Sequence, residues 1–147
     1  MSISNNRLIV YKASAGSGKT FTLAIEYISL LINNPKSYEN ILAVTFTNKA
    51  TEEMKMRILS QLYGISKKLP DSNNYLKMVM KKTGKSENEV IKNASIALSY
   101  LIHNYNYFRV QTIDAFFQSI LRNLARELDL TANLRIDLND RQVEEYA

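Results

Sequence analysis

The sequence predicts an α/β fold, a parallel sheet flanked by helices, and three observations carry that expectation. A short apolar run, Leu8-Ile9-Val10, leads through the glycine-bearing stretch Ala13 to Thr20 into a long apolar segment from Phe21 to Ile32. A near-continuous apolar run from Ile41 to Phe46 precedes a second helical stretch. The same strand-then-helix order returns at Tyr107 to Thr112 and Ala115 to Leu128. The 147 residues suffice for one domain with a sizeable core. Such alternation lays helices over a parallel sheet joined by right-handed crossovers.

Each element has its own justification. The first strand is expected at Arg7 to Lys12. The helix from Lys19 to about Asn33 is apolar on most sides, which suits burial against a sheet, and Asn33-Asn34-Pro35 stops it. Asn40 to Thr47 reads as a central strand covered on both faces. Asn48 is placed to cap the next helix, with Glu52 and Glu53 in its first turn and Met54, Ile58, Leu59, Leu62 and Tyr63 as its apolar stripe. From Gly64 to Asn106 the pattern changes to a helical insertion. It has a loop at Lys67 to Ser72 and helices at about Asn74–Thr83 and Glu87–Asn104, with Gly84-Lys85-Ser86 between them. Ser86 with Glu89 three residues on is a capping-box signature. The helix Ala115 to Leu128 shows an apolar face of Phe116, Phe117, Ile120, Leu121, Leu124 and Leu128. Leu134 to Leu138 alternates like an edge strand, and Asp140 starts a further helix.

The chemistry concentrates in Ala13-Ser14-Ala15-Gly16-Ser17-Gly18-Lys19-Thr20. Between a strand and a helix, this is the pattern of a phosphate-binding loop. Gly16 and Gly18 let successive backbone N–H groups close on an anion, and the N-terminal end of the following helix points at the same spot. Lys19 then reaches the outer phosphates of ATP, and the Thr20 hydroxyl is the Mg²⁺ ligand. Ala13 stands where the first glycine is usual. The competing reading of these residues is a plain Gly-Ser turn between strand and helix.

Composition narrows the rest. There is no cysteine, so thiol catalysis, disulfides and cysteine-ligated metal or iron–sulfur centres are excluded for these residues. The N-terminus has no charged-then-apolar signal pattern, and no apolar run approaches the ~20 residues of a membrane span. The expectation is a soluble, cytoplasmic protein with no membrane partner. Residues 49–92 hold ten Lys/Arg against five Asp/Glu, while residues 114–147 hold four against seven. A basic middle suits a nucleic-acid surface, although a solvated lysine-rich helical face accounts for it as well. His103 is the only histidine and has no partner cluster. Tyr100, Tyr105, Tyr107 and Phe108 interleave with His103 and Arg109, which fits packing aromatics or a nucleic-acid face.

Three blocks, ASAGSGKTFT, ILAVTFTNKATEEMKMRI and VQTIDAFFQSILR, stand in the order of motifs I, Ia and Ib of UvrD/Rep-type superfamily 1 DNA helicases. The first block and TIDAFFQ resemble most the RecB/AddA helicase–nuclease branch. The resemblance covers residues 7–65 and 107–140 and leaves out most of the insertion. It implies a RecA-like P-loop domain that binds ATP and Mg²⁺ through Ala13 to Thr20. It also implies that Phe46, Thr47 and Asn48 in motif Ia, and Thr112 and Ile113 in motif Ib, touch single-stranded DNA. Read from its place in the apolar run alone, Phe46 is a core residue, and Asn48 alone is a helix cap. Asp114 falls in motif Ib too, but a carboxylate does not attract phosphate, so orienting a neighbour or capping the helix suits it better.

The resemblance also marks what these residues lack. No apolar strand ends in Asp-Glu, the motif that completes Mg²⁺ binding and activates water. Later motifs and a second RecA-like half have no counterpart here, nor does the upstream glutamine with which many relatives read adenine. The expectation is therefore that residues 1–147 form the N-terminal part of the first RecA-like domain of a larger parent. That parent would be a 3′–5′ ATP-dependent DNA helicase or helicase–nuclease in repair or recombination, and these residues alone would not hydrolyse ATP. Its partners would be single-stranded DNA or DNA ends, the remaining helicase domains and a nuclease subunit. The alternatives are a stand-alone nucleotide-binding regulatory module without motor activity and a P-loop kinase, the latter opposed by the Ia and Ib blocks.

Overall fold

The computed structural model describes residues 17–128. The expected strand Arg7–Lys12, the loop residues Ala13, Ser14, Ala15 and Gly16, the strand Leu134–Leu138 and the helix from Asp140 lie outside the described residues.

Helix α1 spans Ser17–Asn33, two residues earlier than the sequence suggests. Its apolar breadth is used: Ala24, Ile25, Tyr27, Ile28, Leu31 and Ile32 are all buried. Pro35–Asn40 forms a 3₁₀ turn capped by Asn34, whose side chain accepts from the Lys36 amide at 3.1 Å. That turn absorbs Asn40 and shortens the next strand, β1, to Leu42–Thr45. Helix α2 spans Asn48–Ser66. The residue capping it is Thr47, whose Oγ1 accepts from the Ala50 amide at 3.0 Å, so Asn48 is already helical and is not the cap. Thr47 holds the extended backbone that a cap requires. The stripe of α2 is Met54, Ile58, Leu62 and Ile65, all buried, whereas Tyr63 lies off that line and is exposed.

Helix α3 (Asn73–Thr83) follows a short 3₁₀ turn at Pro70–Ser72. It ends at Gly84, whose φ of 69° is a left-handed conformation that suits glycine. Helix α4 (Glu87–His103) begins with Ser86 accepting from the Glu89 amide at 3.3 Å, the first half of the capping box. Strand β2 is Arg109–Thr112, shortened because Tyr105–Tyr107 make a 3₁₀ turn. It pairs in parallel with β1, Leu42 opposite Arg109 and Thr45 opposite Thr112. Helix α5 spans Ile113–Glu127 and is capped by Thr112, which accepts from the Ala115 amide at 3.1 Å. Asp114 sits in its first turn and is not its cap.

The fold is mixed α/β: a two-stranded parallel sheet and five helices among the described residues. One core joins α1, α2, α3 and α4 with the sheet, through Ile28, Leu31, Ile58, Leu62, Val79, Val90, Leu101, Phe108 and Val110. The helices of the expected insertion thus share their core with α1 and α2. Tyr27 and Phe108 meet edge to face across it, with ring centroids 5.8 Å apart. Helix α5 is different. Its expected apolar face exists, but Phe117, Ile120, Leu121, Leu124 and Leu128 are exposed, and no residue of the helix is buried.

Candidate nucleotide and nucleic-acid site

Lys19 and Thr20 lie in the first turn of α1, whose N-terminal amides have no intrahelical acceptor. That turn contains no acidic residue, so nothing of negative charge in the helix competes for the positive end of its dipole. Lys19 and Thr20 are both half-buried. At Gly18 an added Cβ would meet no described atom within 4 Å. The Thr22 hydroxyl donates back to the Gly18 carbonyl at 2.9 Å and ties the first turn together. An ammonium, a hydroxyl and helix-terminal amides without intrahelical acceptors form a donor set that fits a Mg²⁺-bearing polyphosphate. Of the sequence-expected loop, Ser17, Gly18, Lys19 and Thr20 are in the described helix.

The second group of expected residues gathers at the other feature of the fold, the C-terminal ends of β1 and β2. Parallel register brings Thr45 beside Thr112, so Phe46, Thr47 and Asn48 leave the sheet next to Thr112 and Ile113. Phe46 is 86% exposed, which removes the core reading of this side chain. Asn48 is exposed, while Thr112 and Ile113 are half-buried. Both helices that start here, α2 and α5, direct their N-terminal ends at this edge of the sheet.

A threonine cluster that belongs to no expected site holds the turn between β1 and α2. Thr45 Oγ1 lies 2.6 Å from Thr51 Oγ1, and the Thr51 hydroxyl donates to the Thr47 carbonyl at 3.1 Å. Thr45 also reaches across to the Gln111 carbonyl at 3.4 Å, joining the two strands. Its only trace in the sequence is three threonines flanking the strand end. A buried hydroxyl needs a partner, and these supply one another.

The remaining aromatics divide. Phe108 is buried, and Tyr100 stacks on Tyr38 with centroids 5.5 Å apart, so both serve packing. Tyr105 and Tyr107 are exposed, with the Lys55 ammonium 5.2 Å from the Tyr105 ring centre. His103 is exposed, and its Nδ1 lies 2.7 Å from the Ser99 carbonyl of its own helix. Among the described residues no helix is long and apolar enough to cross a membrane.

The described residues thus form a parallel α/β unit with a lysine and a hydroxyl at one helix start and two capped helix starts at a shared strand edge. Comparison with known proteins makes this specific. The family model for the UvrD/REP helicase N-terminal domain matches residues 2–146, and the chain belongs to that family. The RecBCD enzyme subunit RecB of Buchnera aphidicola is 36% identical over 132 residues, covering 80% of this chain and 10% of that relative. RecB of Borreliella burgdorferi is 33% identical over 127 residues, covering 86% and 10%. An ATP-dependent helicase/nuclease protein of Bacillus cereus strain AH820 is 32% identical over 136 residues, covering 91% and 9%. The chain therefore spans about a tenth of the length of these curated relatives. No solved structure matches it.

Proposed function

We propose that this chain is the ATP-binding part of the first RecA-like, P-loop domain of a 3′–5′ DNA helicase or helicase–nuclease of the RecB/AddA type. On this reading residues 1–147 belong to that domain, and residues 64–106 are a helical insertion in it. The observation that carries it is family membership over residues 2–146 together with Lys19 and Thr20 in the first turn of α1. Names among the relatives support the pairing of ATP-dependent helicase with nuclease.

In this reading the amides of Ala13 to Gly18 and the Lys19 ammonium hold the phosphates of ATP, and the Thr20 hydroxyl takes the Mg²⁺. Bound ATP supplies the free energy that a motor converts to movement. The residues of this chain bind and orient it; water activation needs further groups. Phe46 offers a ring face to a base of single-stranded DNA, while Thr47, Asn48, Thr112 and Ile113 line the backbone beside it. Lys49 and Lys55 on α2 supply the salt-dependent part of that affinity.

Calorimetry with Mg–ATP on the chain and on Lys19→Ala tests the reading. Binding to the chain with at least a tenfold loss in the variant is expected. Equal affinity in both discards the phosphate loop, and a Thr20→Val variant that keeps its Mg²⁺ dependence discards the metal role.

A further inference from the structure

Helix α5 presents an apolar face that no described residue covers. Phe117, Ile120, Leu121, Leu124 and Leu128 share one side of the helix and are all exposed. Arg122, Asn123 and Arg126 take the opposite side, so the helix is built to lie on something. A helix of 15 residues is marginal in water alone and gains its stability by burying such a face.

The sheet beside it is incomplete in a matching way. Strand β2 pairs with β1 along one edge, and its other edge has no strand among the described residues. Parallel sheets occur almost only with both faces covered. Here Ala43, Thr45 and Val110 are buried on one face, whereas on the other Leu42 and Arg109 are exposed and Val44 and Gln111 are half-buried. Helix α5 touches both strands.

We propose that residues 134–138, which lie outside the described residues, dock here. They pair in parallel with the free edge of β2 and turn Leu134, Ile136 and Leu138 against the apolar face of α5. Those three residues alternate with Arg135 and Asp137, so the segment, like α5, has a single apolar side to bury. Residues 113–133 connect β2 to it, which meets the dozen or more residues that a parallel crossover needs. Helix α5 carries the chain back about 22 Å along the sheet, at 1.5 Å per residue. From Leu128 to Leu134 the chain spans at most about 20 Å, so the segment starts within reach of the end of α5 that holds Leu124 and Leu128. A right-handed crossover then lays α5 over β2 and the strand that follows it. The added strand ends at the edge of the sheet where Phe46 and Thr112 lie.

Because the chain has no cysteine, introduced pairs report the contact without background. Two double variants of the 147-residue chain are treated with a short bismaleimide, whose reach matches the ~10 Å between packed layers. Leu124→Cys with Ile136→Cys should cross-link within one chain. Leu124→Cys with Arg135→Cys, which stands on the opposite side of the strand, should cross-link far less. Equal yields in the two, or no cross-link in either, overturn the proposal. Cross-links formed only between chains also overturn it and assign the face to a second copy. Thermal melts give an independent readout: Ile136→Ala should lower the melting temperature by about 5–15 °C, and Arg135→Ala should leave it nearly unchanged. An unchanged melt in Ile136→Ala would show that this side chain covers nothing.

Discussion

Truncating Phe46 to alanine separates a DNA-stacking role from a structural one. Fully burying a phenylalanine contributes about 1.5–3 kcal/mol. With the side chain 86% exposed, only about a seventh of that is at stake, roughly 0.4 kcal/mol or less. For a chain of this size that is a melting shift of about 1–2 °C. A core phenylalanine would instead cost ~3–5 kcal/mol and on the order of 10 °C. Loss of one base–aromatic stack is worth ~1–3 kcal/mol, or about 5- to 150-fold in affinity for single-stranded DNA. The assay is fluorescence anisotropy with labelled oligonucleotides of mixed sequence and of poly-dT, alongside thermal melts. The expected result is a near-normal melt with weakened binding to both oligonucleotides. A melt lowered by ~10 °C, or unchanged DNA affinity, refutes the reasoning.

Three further outcomes follow from particular contacts. Glycine to alanine inside a helix normally stabilises by about 1 kcal/mol, but a Cβ at Gly64 would collide with Ser72 Oγ and Cβ. Gly64→Ala should therefore destabilise by ~1–3 kcal/mol in urea unfolding, and a stabilised variant would show that the α2–α3 corner is looser than described. Thr47→Ala removes the cap of α2, a helix that carries much of the core, and should lower unfolding free energy by about 1 kcal/mol in the same assay. Tyr27 has a buried hydroxyl without a partner among the described residues, and burial pushes its phenol well above the usual value near 10. The unfolded phenol ionises first, so the stability linked to this group is whole below pH ~10 and falls as pH rises further. Tyr27→Phe should melt at the same or a higher temperature at neutral pH and resist alkaline unfolding better; a sharp loss at neutral pH would mean the hydroxyl has an unseen partner.

The strands and helices were legible where periodicity and breadth of apolar character were strong, as in α1 and α2. Their ends were less so, because caps are decided by backbone conformation. Thr47 and Asn48 are both good capping residues, and only the extended dihedrals of Thr47 choose between them. The exposure of Phe46 was hidden by its place in an apolar run. The run ends one residue earlier in space than in sequence, because the chain bends at Phe46 toward α2. A cleft lined by residues of α1, α2 and α3 was not legible at all. Phe21, Gln61 and Tyr75 lie on three helices, and each alone reads as an ordinary core or surface residue. The amphipathic face of α5 was legible, but periodicity says nothing about what covers it.

The central claim is that the first turn of α1 holds the phosphates of ATP. The most direct measurement is the change in backbone amide chemical shifts as Mg–ATP is added to isotopically labelled chain, with Lys19→Ala as the comparison. The account predicts the largest shifts at the amides of Ser17, Gly18, Lys19 and Thr20, saturating together and absent in the variant. Shifts confined to other elements, or the same shifts in Lys19→Ala, would contradict it.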